Sequence, residues 1–152
     1  MAKLVIHSLM ELGAFAGEFV SKNPKGAVVG LSGELGAGKT TFVREVIKII
    51  AHQNSKPVPR VMSPSFVLHA AYPELSPRVD HFDLYRLNSV TEVMLVEVGY
   101  YEVLDKARSI GGYVFVEWPE QCLNVGSLQL NLRMNISLSD TMREIELEVI
   151  SG

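Results

Sequence analysis

The hydrophobic and polar positions of this chain divide it into alternating extended and helical segments. Residues 27–31 read A-V-V-G-L, a short apolar run that contains a glycine and is typical of a buried parallel strand. In residues 41–50, apolar side chains recur at helical spacing and charged side chains occupy the other faces. The pattern therefore predicts a strand, a short loop and a helix in direct succession.

Comparable patterns occur before and after this unit. Before it, they predict an edge strand at residues 4–7 and a helix opened by the capping box of Ser8 and Glu11. After it, they predict a proline-containing loop at 54–64 and strands at 65–70 and 78–84. A helix opened by the capping box of Ser89 and Glu92 and broken near Gly99 follows, and then a helix at 100–107 and a strand at 113–118.

The C-terminal part of the chain alternates between apolar and polar residues, as a strand with one solvent-exposed face does. Apolar side chains occupy every second position from Leu128 to Leu138, and glutamates alternate with apolar side chains at 144–149. Residues 139–141 separate the two segments as a turn. The tail therefore predicts an antiparallel hairpin at the edge of a mixed α/β sheet.

Composition and charge narrow the class of protein. The 152 residues are 47% hydrophobic and 20% charged, which predicts one globular domain over residues 1–152. The net charge of −3 indicates no basic surface, so we do not expect this chain alone to bind nucleic acid tightly. Cys122 has no cysteine partner for a disulfide, and no apolar run approaches the roughly 18 residues of a membrane span. We therefore expect a cytoplasmic protein without membrane contact.

Residues 33–40 read G-E-L-G-A-G-K-T and fit the pattern G-x-x-x-x-G-K-[ST] of a phosphate-binding P-loop. Its three glycines lack Cβ atoms, so the backbone can surround a phosphate closely with N–H donors. Lys39 would place a positive charge on the β- and γ-phosphates, and the Thr40 hydroxyl is a natural Mg²⁺ ligand. The motif and its context predict a nucleotide site in an α/β, P-loop NTPase-like fold, with helices flanking the mixed sheet and a C-terminal antiparallel hairpin.

A P-loop needs a further carboxylate to hold Mg²⁺, commonly at the end of a neighbouring strand. Asp83 follows a weak apolar strand and Glu117 follows a strong one, and the spacing leaves the choice between them open. Asp80 is a third candidate, but alternation places it on the strand face opposite Asp83. Each of these carboxylates could equally be a solvated strand end.

Several other side chains have both a functional and a structural interpretation. Trp118, at the end of a predicted strand, could lie against an adenine or belong to the core. The segment Ser63-Pro64-Ser65 could be a switch loop that senses the γ-phosphate, or a turn into the next strand. Arg86 could clamp a phosphate or simply be a charged residue ahead of a helix. The four histidines, at positions 7, 52, 69 and 81, lack the spacing of metal ligands, and we interpret them as structural.

Four motifs occur in an order and at a spacing that resemble one protein family. They are the extended P-loop at 33–41, Ser-Pro-Ser-Phe at 63–66, His-Phe-Asp-Leu-Tyr-Arg-Leu at 81–87 and Val-Glu-Trp-Pro-Glu at 116–120. Together they resemble the TsaE family, small P-loop ATPases of bacterial tRNA threonylcarbamoyladenosine (t6A) biosynthesis. The two later motifs are far more specific to that family than the P-loop is.

The resemblance implies that the chain binds ATP or ADP with Mg²⁺, hydrolyses ATP slowly, and acts together with TsaB and TsaD homologues. That pair transfers the threonylcarbamoyl group to adenosine 37 of tRNA. The resemblance therefore implies that this chain meets tRNA only indirectly and is not itself the transferase.

The family pattern also implies a set of site residues. It places Thr40 and Asp83 at Mg²⁺-linked positions and Glu117 at a position needed for hydrolysis. We therefore expect a metal site among Thr40, Asp83 and Glu117, with the direct contact of Asp83 or Glu117 left open, and catalytic roles for Glu117 and Lys39. Ser65 stands where the family commonly has threonine, and it retains the hydroxyl. The implied nucleotide-binding residues are Glu34, Leu35, Gly36, Ala37, Gly38, Lys39, Thr40, Thr41, Ser65 and Trp118.

Other functions share the P-loop. Small-molecule kinases usually close an arginine-rich lid over their substrates, and the arginines of this chain are scattered without a cluster. GTPase-like switches read guanine with an Asn-Lys-x-Asp segment, which this sequence lacks. A nucleotide-gated binding module with negligible turnover differs from an ATPase only in rate, so the sequence does not separate these two.

Overall fold

A computed structural model describes residues 2–61 and 68–150 of the chain, and over these residues it forms seven strands and four α-helices. The elements follow one another as β1 (Ala2–Ile6), α1 (Leu9–Lys22), β2 (Val28–Ser32), α2 (Lys39–Gln53), β3 (His69–Tyr72), β4 (Arg78–Asp83), α3 (Glu92–Glu97), α4 (Tyr100–Ile110), β5 (Gly112–Glu117), β6 (Leu132–Ser139) and β7 (Met142–Val149), with short 3₁₀ helices at Pro119–Gln121 and Val125–Leu128. No helix in the described part of the chain is both long and apolar enough to cross a membrane.

The described strands form one sheet in the order β1-β7-β6-β2-β5-β4-β3. Its central strands pair in parallel, β2 with both β5 and β6, and β5 with β4. The outer pairs β1–β7, β6–β7 and β3–β4 are antiparallel. The sheet is therefore mixed, and the carboxyl ends of β2, β4 and β5 meet at one edge, where ligands bind in open α/β sheets.

Helices cover both faces of the sheet. In β2, Val29 and Leu31 belong to the core beneath α1 and α2, whereas Val28 belongs to the core beneath α3 and α4. In β5, Phe115 belongs to the core beneath α1 and α2, and Val116 belongs to the core beneath α3 and α4. Strands buried on both faces read as continuous apolar runs, which explains the sequence of the central strands.

An aromatic cluster fixes the position of α2 against the sheet and against α1. The Phe42 ring lies 5.4 Å from that of Phe19, 5.7 Å from that of Phe15 and 6.0 Å from that of Phe115, measured between centroids. Such pairs contribute about 0.5–1.5 kcal/mol each beyond their buried area. Because Phe42 lies in the first turn of α2, the cluster also holds the segment that follows the glycine-rich loop.

The C-terminal hairpin forms, but two expectations about it are wrong. It does not form the edge of the sheet, because β1 pairs with β7 from Ala2↔Leu147 to Ile6↔Arg143 and takes the edge position itself. The strand also begins at Leu132 rather than at residue 128. Gln129 adopts a left-handed conformation with φ of 55°, which interrupts the extended backbone that the alternation suggested.

The two capping boxes have different outcomes. Ser8 caps α1 as predicted, because its hydroxyl accepts a hydrogen bond from the Glu11 N–H at 3.1 Å. The prediction that Ser89 caps the next helix is wrong. Thr91 caps α3 instead, and its hydroxyl accepts a hydrogen bond from the Met94 N–H at 3.2 Å. Ser89 instead has a left-handed φ of 52°, so the helix begins later than the pattern indicated.

Strand β3 was predicted at residues 65–70 and is observed at His69–Tyr72. Residues 65–67 of that prediction lie outside the described residues. The strand at 78–84 ends one residue earlier than predicted, at Asp83, which places this carboxylate at the end of β4.

Candidate functional site

The glycine-rich loop connects the end of the central strand β2 to the start of α2. Gly33 has a φ of 146°, and a Cβ added there would lie 2.2 Å from the Ile136 carbonyl oxygen, so no other residue fits without a shift. Gly38 has a φ of 115° and immediately precedes α2. The loop thus presents the first N–H groups of α2 at the carboxyl edge of the sheet, which is an arrangement suited to an anion.

Lys39 is buried at the start of this helix, with 4% of the residue exposed. Its Nζ donates hydrogen bonds to the Gly33 carbonyl at 2.5 Å and to the Glu34 carbonyl at 3.0 Å. Burial lowers the pKa of Lys39, although the negative charges of Glu117 and Asp83 act in the opposite direction. A buried ammonium bonded to neutral carbonyls gains most from a strong anionic acceptor in the adjoining cavity.

Arg143 of β7 supports the loop from the side of the C-terminal hairpin. Its Nε donates to the Ala37 carbonyl at 2.7 Å. A Cβ on Gly38 would lie 3.0 Å from the same nitrogen, so the guanidinium packs closely along the loop. Sequence reasoning did not identify this contact, because it joins residues that are 106 positions apart.

Asp83 and Glu117 lie side by side at the ends of β4 and β5, where they are partners in the parallel register. Both are buried. Burial raises the pKa of Asp83, and the charge of Glu117 adds to this rise. The hydrogen bond from the Tyr85 N–H, at 2.9 Å, acts in the opposite direction and lowers it. Two adjacent buried carboxylates repel each other, so the pair favours a nearby cation.

Thr40 and His81 both contact Glu117. The Thr40 hydroxyl donates to Glu117 Oε2 at 2.7 Å, and His81 Nε2 lies 2.6 Å from the same oxygen. The interpretation of His81 as merely structural missed this contact. The signal was present in the sequence, because alternation along β4 places His81 and Asp83 on one face.

Asp80 lies on the other face of β4, as the alternation predicts. Arg78 donates to it from Nε at 2.7 Å and from Nη2 at 3.0 Å, and His69 Nε2 lies 2.8 Å from it. Burial alone would raise the pKa of Asp80, but the hydrogen bonds from His69 and Arg78 lower it overall. Asp80 is thus engaged in a buried ion pair of its own, away from Glu117.

Trp118 follows β5 directly and adopts a left-handed conformation with φ of 62°. This conformation is costly for a bulky side chain and persists only where the surroundings hold it. Here the Trp118 N–H donates to the Leu31 carbonyl at 3.0 Å. The indole ring lies over Lys39, whose Nζ is 4.4 Å from the ring centroid. The centroids of the Trp118 and Tyr85 rings are 5.0 Å apart.

These groups surround a cavity of about 270 Å³ at the carboxyl edge of the sheet. It is lined by Leu35, Gly36, Gly38, Lys39, Thr40, Thr41, Asp83, Tyr85, Arg86, Glu117 and Trp118. Most of the residues implied by the family pattern therefore converge on one space. Glu34 and Ala37 do not line it, although the Glu34 carbonyl accepts a hydrogen bond from Lys39, which does. Ser65 and the Ser63-Pro64-Ser65 segment lie outside the described residues. Tyr85 was not singled out from the sequence.

Comparison with protein families gives one match that spans most of the chain. Residues 6–145 match the family model described as "Threonylcarbamoyl adenosine biosynthesis protein TsaE". A Haemophilus influenzae relative named tRNA threonylcarbamoyladenosine biosynthesis protein TsaE is 31% identical over 142 residues, which cover 92% of this chain and 82% of the relative. A Streptomyces coelicolor relative of the same name is 34% identical over 131 residues, which cover 84% of this chain and 80% of the relative.

A third relative of that name, from Rickettsia conorii, is 39% identical over 93 residues. The match covers 61% of this chain and 47% of the relative, so it spans about half of that protein. Among solved structures, Bacillus subtilis YdiB superposes with a TM-score of 0.67 at 22% identity, covering 99% of this chain and 86% of that one. The prediction of an α/β, P-loop NTPase-like fold with a mixed sheet is confirmed.

Proposed function

This chain belongs to the TsaE family of threonylcarbamoyl adenosine biosynthesis proteins, and we propose that it is a Mg²⁺-dependent ATPase supporting threonylcarbamoylation of tRNA adenosine 37. It would do so in the cytoplasm with TsaB and TsaD homologues, and it would contact tRNA only through them. The convergence of buried Lys39, the start of α2 and the Asp83–Glu117 pair on one cavity carries this proposal.

Phosphate groups fit the cavity because its donors are already in place. The loop supplies backbone N–H groups, and the N-terminus of α2 adds its partial positive charge. Lys39 would exchange its carbonyl partners for phosphate oxygens, and the added negative charge would offset the cost of its burial. Arg143 would keep the loop in position through Ala37.

Mg²⁺ fits the oxygen ligands that line the same cavity. Among the described residues, no three His, Cys, Asp or Glu side chains form a metal site by themselves. This agrees with Mg²⁺, which is commonly held by one or two carboxylates together with substrate phosphates and water. Thr40, Asp83 and Glu117 are the available oxygen ligands. Bound Mg²⁺ would neutralise charge on the phosphate oxygens during hydrolysis.

Glu117 is the group best placed to act on water. Its carboxylate is buried beside Thr40, and a carboxylate within hydrogen-bond reach can orient a water molecule or accept its proton. Lys39 would stabilise the negative charge that the phosphate develops. ATP hydrolysis would therefore depend on Glu117 for the water and on Lys39 for the charge.

The mouth of the cavity offers a surface to a partner protein. Leu35 of the glycine-rich loop is 63% exposed, and Tyr85, which follows β4, is also exposed. Both line the cavity, so a protein that contacts them would also sense the nucleotide. This supports a function in which the nucleotide state is communicated to other proteins.

We expect Trp118 fluorescence to change when ADP or ATP is added, because the base would lie against the indole that now covers Lys39. The signal is specific, since Trp118 is the only tryptophan. A Tyr85→Leu variant, titrated in parallel, tests the contribution of the neighbouring ring. An unchanged emission together with nucleotide binding proven by calorimetry would place the base elsewhere.

We also expect the chain, used as bait in the lysate of its native host, to recover the TsaB and TsaD homologues in amounts that depend on added ATP. A Lys39→Met bait, which should not bind ATP, is the matched control and should lose that dependence. If neither protein is recovered and a metabolite is phosphorylated instead, the small-molecule kinase becomes the better assignment.

A further inference from the structure

The side chain of His81 is buried and makes one hydrogen-bonding contact among the residues that the structure describes, and that contact is to Glu117. We propose that His81 is a positioning residue: it holds Glu117 Oε2 so that Oε1 acts on water and Asp83 is left as the metal-binding carboxylate. This inference rests on the ATPase function proposed above.

The geometry makes the contact rigid. His81 Nε2 lies 2.6 Å from Glu117 Oε2, and the side chains are 0% and 4% exposed. Both residues lie on central parallel strands, where His81 pairs with Phe115 and Asp83 pairs with Glu117. A hydrogen bond to a carboxylate that is shielded from water is stronger than one on the surface. The position of Glu117 is therefore set by the sheet and not by a loop.

The unpartnered atom of His81 argues that packing alone did not select this residue. Its Nδ1 is buried and has no hydrogen-bonding partner within the described part of the chain. For the contact to be a hydrogen bond that His81 donates to a carboxylate oxygen, Nε2 must carry a proton, and we assign it there. Burying an unpaired polar atom costs free energy that a leucine or phenylalanine would avoid. The benefit must lie in the bond to Glu117.

The same bond separates the roles of the two carboxylates. Glu117 Oε2 accepts from Thr40 and from His81, which occupies the lone pairs of that oxygen. If Thr40 were to hold a metal ion instead, the His81 bond would still hold Oε2. Asp83 has no such side-chain donor among the described residues, and it lines the same cavity. Asp83 is thus the carboxylate that is available to Mg²⁺.

The test compares His81→Leu, which removes the donor, with His81→Gln, which can place an amide N–H near the position of Nε2. With the partner proteins present, we expect His81→Leu to lower kcat for ATP hydrolysis about 10–100-fold. ATP affinity measured by calorimetry should stay unchanged. His81→Gln should recover a large part of kcat. A loss of ATP affinity equal to the loss of kcat, or equal kcat in both variants, would overturn the proposal.

A double-mutant cycle separates positioning from a general loss of structure. If His81 acts through Glu117, the His81→Leu/Glu117→Ala variant should be no slower than Glu117→Ala alone. The matched control is His69→Leu, which removes the His–carboxylate contact of 2.8 Å to Asp80 on the opposite face of β4. It should lower thermal stability and leave kcat unchanged. Additive losses in the cycle would contradict the inference.

One measurement does not depend on activity. In protein labelled with ¹⁵N-histidine, we expect a slowly exchanging His81 Nε2–H signal without nucleotide, shifted in Glu117→Gln and unaffected in His69→Leu. A proton on Nδ1, or a signal insensitive to Glu117→Gln, would overturn the proposal. If the chain binds no ATP, the proposed function fails, whereas this signal still reports whether the His81–Glu117 contact exists.

Discussion

Replacing Lys39 with methionine should reduce ATP affinity about 100-fold or more, because a hydrogen bond to a charged partner contributes about 1.5–3 kcal/mol and Lys39 can make more than one. Lys39 supplies a buried side-chain charge on the loop side of the cavity. Methionine keeps a flexible chain against Trp118 and removes the charge together with the hydrogen bonds that the ammonium donates to the loop. Calorimetric titration with ATP in the presence of Mg²⁺ measures the loss directly.

The folded state should tolerate this change well. Burial lowers the pKa of Lys39, which means that the protein bears a cost for keeping the ammonium charged. Thermal stability of Lys39→Met should therefore be equal to or above that of the wild type. Lys48→Met is the matched control, because Lys48 lies exposed on the same helix and pairs with Glu45 at 3.2 Å. Equal ATP affinity in the Lys39 and Lys48 variants would contradict the proposal that the P-loop binds ATP.

The unit of β2, the glycine-rich loop and α2 is the part of the fold that the sequence predicts best. Apolar runs and helical spacing arise from burial of whole faces, and these patterns are local. The position of β1 beside β7 is not local, because it depends on pairing between Ala2 and Leu147. The strand start at Leu132 has another cause, since the left-handed Gln129 interrupts the extended backbone while Leu128 and Leu130 remain buried as the alternation indicates.

In the site, too, the contacts that follow from local sequence patterns could be predicted, and those between distant segments could not. Asp83 and Glu117 were identified because they end adjacent strands, and parallel strands bring their carboxyl ends together. The contact between His81 and Glu117 follows from alternation along β4, which puts His81 and Asp83 on one face, whereas metal-ligand spacing does not reveal it. Arg143 could not have been inferred, because nothing in the local sequence of β7 indicates that it reaches Ala37.

The charges of the cavity explain why its parts depend on one another. Burial lowers the pKa of Lys39, and the negative charges of Glu117 and Asp83 oppose that shift. Burial raises the pKa of Asp83, and the charge of Glu117 adds to that rise. The lysine side of the cavity therefore favours an anion and the carboxylate side favours a cation. A nucleotide with its metal would satisfy both sides at once, which supports binding of the two together.

Replacing Glu117 with alanine should leave ATP bound and lower its hydrolysis, since loss of a general base or water-orienting group typically costs about 10²–10⁴-fold in rate. Removal of one negative charge from the cavity also removes repulsion of the phosphates. The affinity for ATP should therefore equal or exceed that of the wild type. Calorimetry gives the affinity, and phosphate release in the presence of the partner proteins gives the rate.

The control for this prediction must separate the position of Glu117 from its charge. Glu120→Gln removes a carboxylate three residues further on, whose charge also opposes the lowering of the Lys39 pKa by burial but which is exposed and lies 3.7 Å from Arg133. If charge alone mattered, both variants would change hydrolysis alike. We expect Glu120→Gln to retain wild-type hydrolysis, because Glu120 does not line the cavity. Wild-type turnover in Glu117→Ala would remove Glu117 from the mechanism, and with it the basis for a role of His81.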